Sequence, residues 1–149
     1  MKKFLFLSLF MMALASCGSL DTKSQSGLKG NWTISSVTYP GSDYIKVTSF
    51  DIADSKCLEG SSWNFVPNNN KGTMSISKAN CPSFTSPIVW TVTKEGAFTL
   101  KITNGEKAKR VSEGYFLQMR NQTENSFQLI DNVNVGGKNV EVTYQFSKM

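Results

Sequence analysis

Asn139-Val140-Glu141-Val142-Thr143-Tyr144-Gln145-Phe146-Ser147 alternates polar and apolar side chains without a break. Alternation with period 2 belongs to a strand with one face in a core and the other in water. Working back along the chain, the same pattern recurs in Phe127 with Leu129, in Tyr115 with Leu117 and Met119, and in Phe98 with Leu100 and Ile102. Ile88 with Trp90 and Val92, Met74 with Ile76, and Trp63 with Phe65 continue it. Trp32 and Ile34 open the first strand, where alternation slips near Ser36 and predicts a bulge. No 3.6-residue pattern competes after Leu28. Strands are expected near 31–39, 61–66, 72–78, 88–94, 97–103, 114–121, 126–132 and 139–147.

Eight such strands form either a closed barrel or a sandwich, and loop lengths separate the two. Residues 67–71, 95–96 and 121–125 are short connections built from turn formers, whereas 40–60, 79–87, 104–113 and 133–138 are longer. In an up-and-down meander every second connection lies at the same end. Tight turns then close one end and longer loops ring the other. A Greek-key sandwich gives no reason for that alternation. The expected architecture is all-β: one eight-stranded antiparallel up-and-down barrel over residues 28–149.

The whole chain has 149 residues, which suits one core and not two. It contains no histidine. That excludes Ser-His-Asp and Cys-His catalysis and every His-based zinc or iron site. Three cysteines are too few for a disulfide-built miniprotein or a four-cysteine zinc site. No metal, cofactor or enzymatic activity is expected.

Residues 1–16 read as an address. Lys2 and Lys3 precede the apolar run from Phe4 to Ala13, which is short of the roughly 20 residues that span a bilayer. Leu14-Ala15-Ser16-Cys17 resembles the bacterial lipobox, in which the cysteine becomes the acylated first residue of the mature chain. The resemblance implies a lipoprotein signal peptide over 1–16 and lipidation, palmitate included, at Cys17; the alternative is an ordinary cleaved signal with a chance cysteine. Gly18 lacks the aspartate associated with inner-membrane retention, and residues 18–22 lack the acidic run associated with surface export. By resemblance to bacterial sorting signals, the first implies the outer membrane and the second its inner leaflet, facing the periplasm. Removing residues 1–16 takes away Lys2 and Lys3 and leaves fourteen basic against eleven acidic groups, or +3 over 133 residues. Such a balance gives no reason to expect nucleic acid as a partner. Residues 17–27 are polar and read as a flexible, lipid-anchored tether.

Gly30-Asn31-Trp32, just before the first strand, matches the Gly-x-Trp signature of lipocalins, with Gly30 and Trp32 at the closed end. Residues 28–33, 57–65 and 68–72, then Cys81 and Ile88-Val89-Trp90, resemble lipocalin-like lipoproteins of Bacteroidetes-type bacteria. The resemblance implies a monomeric carrier of a small hydrophobic or amphiphilic molecule. No arginine near the last strand is placed to lie over Trp32, so Arg110 or Arg120 is expected to substitute.

In the meander, Cys57 and Cys81 lie in connections at the same open end. In an oxidising periplasm a disulfide between them is expected, contributing ~3 kcal/mol on the chain-entropy model. A reactive thiol would need a cationic or basic neighbour to lower its pKa, and Lys56 and Lys78 read as ordinary surface lysines. Asp51, Asp54 and Glu59 match no metal or acid/base motif and read as solvated loop acids. Lys107, Lys109 and Arg110 group at the proposed mouth, where they either meet an acidic head group or are simply solvated. Gly136-Gly137 reads as a turn.

Strand direction sorts the apolar face by depth. Trp63, Trp90 and Tyr115 fall early on their strands, which places them in the upper barrel with Leu100, Ile102, Leu117 and Val142. These seven are the expected ligand contacts, beneath the long loop 40–60 as a lid. Alternation alone does not distinguish a cavity wall from packed core. The other function class left open is an interaction or inhibitor module of the envelope, acting through the open-end loops.

Overall fold

The structure, a computed structural model, describes residues 22–107, 111 and 114–149. A short helix, α1 (Thr22–Gly27), precedes β1 (Gly30–Thr38). A small hairpin of β2 (Thr48–Ser49) and β3 (Ala53–Asp54) lies in the long connection that follows. Then come β4 (Ser62–Val66), β5 (Lys71–Ile76), β6 (Phe84–Val92), β7 (Ala97–Ile102), β8 (Tyr115–Arg120), β9 (Ser126–Val135) and β10 (Lys138–Lys148). β1 and β4–β10 form a closed antiparallel barrel in which each strand pairs with the next and β1 with β10 completes the ring. The bulge falls at Ser35, where the register against β10 shifts between Ile34 and Ser36. Ile34 and Val37 both face inward three residues apart, and one extra residue is what restores the phase.

Four local features depart from the sequence reading. β6 starts at Phe84, four residues early, and carries Pro87 inside it. The Pro87 carbonyl accepts the Thr103 N–H at 3.1 Å, on the β7 side. Its nitrogen faces the same way, toward Thr103, whose carbonyl accepts the Glu106 N–H at 2.9 Å instead, so the missing N–H leaves no acceptor unpaired. β9 runs on to Val135, which leaves a two-residue turn at Gly136 and Gly137, with φ of 58° and 86°, where a longer loop was expected. Val133 and Val135 keep the alternation of Phe127 and Leu129 going past the charged Asp131.

The third departure is the tether. Thr22–Gly27, expected to be flexible, are helical. Gln25 Nε2 donates to the Pro67 carbonyl at 2.9 Å, and Gln122 Nε2 donates to the Ser24 carbonyl at 2.9 Å, so side-chain amides fasten α1 across the tight-turn end. Residues 1–21, with the signal peptide, Cys17 and the rest of the tether, lie outside the described residues.

The fourth concerns the cation over Trp32. Lys148 supplies it, with Nζ 5.0 Å from the ring centroid and a 2.9 Å hydrogen bond to the Lys29 carbonyl. β10 extends far enough for Lys148 to be the cross-strand partner of Trp32. Arg120 is exposed on β8, and Arg110 lies outside the described residues. The Trp32 indole N–H donates to the Leu28 carbonyl at 2.9 Å. Gly30, at φ 116°, takes a backbone conformation that a side chain would strain, which is the physical content of the glycine in Gly-x-Trp.

Aromatic rings fill the lower barrel. Phe127 stacks on Phe146 at 4.5 Å and meets Trp32 edge-on at 4.8 Å, while Phe65 lies 5.2 Å from Trp90. At the other end Cys57 and Cys81 form the expected disulfide, with Cα atoms 5.7 Å apart. It ties the 3-10 turn Ser55–Leu58, after β3, to the connection between β5 and β6.

Candidate functional site

The loop between β1 and β4 folds inward over the open end, burying Val47, Ser49, Phe50 and Ala53. Its tip is a tight turn, closed by Ile52 N–H donating to the Ser49 carbonyl at 3.0 Å. Phe50 and Asp51 both sit in the left-handed region, at φ 53° and 54°, with no glycine to relieve them. The turn aims the Phe50 ring into the barrel, where it is 6% exposed. It stacks on Tyr144 at 5.4 Å and meets Tyr115 at 5.1 Å and Trp63 at 6.5 Å edge-on. The Phe50 ring is seated among three aromatic rings at the open end.

Two tyrosine hydroxyls hold the tip down. Tyr115 OH donates to the Phe50 carbonyl at 2.8 Å and lies 3.3 Å from an Asp51 carboxylate oxygen. Tyr144 OH shares a short hydrogen bond with Ser49 Oγ. Burial pushes the Tyr144 phenol well above its ordinary range; the Ser49 bond opposes this and the charge of Asp131 adds to it. Asp131 pairs with Val142 across β9 and β10 and follows the buried Leu129 by two residues, so it stands on the inward face. Burial raises its carboxyl above the ordinary value, with a backbone hydrogen bond at Asn132 opposing. Among the described residues, Asp131 is the only charged side chain on the inward face between the strand ends, and no Lys or Arg pairs with it.

Of the seven expected contacts, Trp63 and Tyr115 meet around Phe50, and Val142 flanks Asp131. Leu100 and Leu117 are buried in the wall, and Ile102 is half-buried at the rim. Trp90 does not join them. It packs against Phe65 and Phe98 at 5.2 and 5.9 Å, and its N–H donates to the Lys71 carbonyl at 2.8 Å, by the tight turn after β4. The early start of β6 moves Trp90 from the upper to the lower half. Asp131 and Phe50 were not singled out from sequence. The period-2 row Phe127, Leu129, Asp131, Val133, Val135 contained the signal for the first; nothing local marks Phe50.

The loop charges have structural work. Asp54 Oδ1 accepts the Lys56 N–H at 3.0 Å, and Glu59 lies 3.9 Å from Lys56 Nζ and 4.0 Å from Lys78 Nζ. Among the described residues no acidic or cysteine cluster has the makings of a metal site. Lys107 lines a groove on the outer wall with Lys71 and Val89, not the mouth; Lys109 and Arg110 lie outside the described residues.

Residues 28–129 match the family model of the lipocalin-like domain. No curated protein matches the sequence. A lipocalin-like protein from Bacteroides uniformis is 12% identical, with a TM-score of 0.49 over 83% of this chain and 99% of its own. A bovine odorant-binding protein, solved with a selenium-containing odorant, is 12% identical, with a TM-score of 0.47 over 84% and 72%. Odorant Binding Protein OBP1 is 14% identical, with a TM-score of 0.48 over 84% and 73%. These likenesses carry no ligand over to this chain.

Proposed function

Because the chain belongs to the lipocalin-like domain family, we propose that it is a non-enzymatic binding protein whose small amphiphilic ligand takes the place of the Phe50 ring. One observation carries this reading: an aromatic side chain on a strained loop tip occupies a box of Trp63, Tyr115 and Tyr144, beside the inward-facing Asp131. Left-handed backbone costs a non-glycine residue about 1–2 kcal/mol, less for Asp51. Burying a phenylalanine side chain returns about 1.5–3 kcal/mol. The two nearly cancel, and the hydrogen bonds from Tyr115 and Tyr144 add about 0.5–1.5 kcal/mol each, so the lid lifts at a cost of a few kcal/mol. A ligand that fills the box in place of Phe50 releases the strain and keeps the burial.

The ligand site is smaller than the upper cup expected from sequence. Trp63, Leu100 and Val142 are all but inaccessible, and Trp90 belongs to the floor. The test is a titration with the neutral probe N-phenyl-1-naphthylamine. Saturable binding with enhanced emission, weakened by Tyr115→Leu, is expected. A folded protein that binds no probe refutes the reading.

We place the protein in the cell envelope, anchored through Cys17 to the outer membrane and facing the periplasm. The lipobox-like Leu14-Ala15-Ser16-Cys17 supports the anchor, and the Cys57–Cys81 bond suits an oxidising compartment. Radiolabelled palmitate should enter the wild type and not Cys17→Ala.

A second reading rests on Tyr44 and Phe116, which are 91% and 79% exposed. Exposed aromatics on the mouth loop and on the upper outer wall suit an interaction module. Loss of a co-purifying envelope protein in Tyr44→Ser with Phe116→Ser, together with failure to bind probe, would favour it.

A further inference from the structure

Resting on that reading, we infer that the ligand carries an organic ammonium group, which sits where the Phe50 ring now lies, between Tyr144, Tyr115 and Trp63 and beside Asp131. The Phe50 centroid marks the position. It lies 5.1 Å from the Tyr115 ring, 5.4 Å from Tyr144 and 6.5 Å from Trp63. A cation attracts an aromatic face within about 6 Å of its centroid; Tyr144, stacked on Phe50, turns its face to that position, and Tyr115 lies within the same distance. A phenyl ring and a trimethylammonium group have similar bulk, and the box that holds one accepts the other.

The charges around the box agree. Asp131 is the inward acid, and the loop tip adds Asp51, whose carboxylate approaches Tyr115 OH at 3.3 Å. Among the described residues no lysine or arginine forms a salt bridge with either carboxylate. Lys56 is engaged by the Val37 carbonyl, the Tyr39 ring and Glu59, and Lys107 lines the outer groove. Asp131 stands just past the last β8–β9 pairing, Gln118 with Ile130, where one side of the wall ends and its carboxylate is only partly covered. Burial with no counter-charge raises its carboxyl, and an ammonium beside it would reverse that shift. Above the box, half-buried Ile102, Val133 and Val135 give the rim an apolar lining for the rest of the molecule.

Displacement of N-phenyl-1-naphthylamine by decyltrimethylammonium and by decanoate, both below their micelle concentrations, tests the inference. The cation should displace the probe at a concentration about tenfold lower than the carboxylate. Asp131→Asn should lose most of that preference, read as the ratio of the two displacing concentrations in the same variant. The inference is overturned if decanoate competes as well as the cation in the wild type. It is equally overturned if Asp131→Asn keeps the preference. The wild-type comparison decides even if the variant folds poorly. Failure of the neutral probe to bind at all is a different outcome: it removes the binding reading, and this inference with it.

Discussion

Truncating Phe50 to alanine distinguishes a stopper from a member of the core. Phe50 is buried at the mouth beneath a single turn of loop, and the space it leaves opens to water once that turn moves. The loss is then the transfer term alone, about 2 kcal/mol, with little cavity term. Phe127 provides the reference. It is fully buried at the closed end, 4.5 Å from Phe146 and 4.8 Å from Trp32, where no neighbour can collapse onto a void. Phe127→Ala should therefore cost about 3–5 kcal/mol. Urea unfolding followed by tryptophan emission measures both, with unchanged m-values confirming the comparison. Equal losses in the two variants would refute the stopper, because Phe50 would then be core like any other ring.

Three further outcomes follow from particular groups. Replacing Cys57 and Cys81 together by serine should lower stability by about 3 kcal/mol, read from the urea midpoint, because the bond closes a 24-residue separation. Ser55 Oγ is buried with no hydrogen-bond partner, so Ser55→Ala should raise stability by about 1 kcal/mol in the same assay. The carboxyl of Asp131 titrates above its ordinary 3.8 when folded, so the native state holds the extra proton. Stability should fall as pH rises from 3.8 through that raised value, and Asp131→Asn should remove this part of the pH dependence.

Alternation made the strands legible, and loop lengths made the barrel legible. Each is a local quantity that the chain displays directly. The disulfide followed because the meander puts both connections at one end. Depth within the barrel was harder, since it depends on where a strand begins. Pro87 hid the first four residues of β6, and Trp90 was displaced upward by that error. Asp131 broke an apolar row that continues beyond it, which shortened β9 and concealed the one charge that the described residues place on the inward face. Lys148 was missed for a similar reason, one residue past the expected end of β10. Phe50 could not be read at all. Its neighbours Tyr115 and Tyr144 are 65 and 94 positions away in sequence, and its left-handed backbone is imposed by the turn it sits in. A phenylalanine at a left-handed turn position, where glycine or asparagine is usual, leaves no signature of the turn.

The affinity of Phe50→Ala for N-phenyl-1-naphthylamine, set against that of the wild type, is the measurement that bears most directly on the proposed site. If ligand and Phe50 compete for one box, removing the ring spares the ligand about 2 kcal/mol of displacement. Binding should then tighten by up to about 30-fold. Equal or weaker binding by the folded variant would mean that the ring is not the ligand's competitor and that the box beneath the loop is not the site.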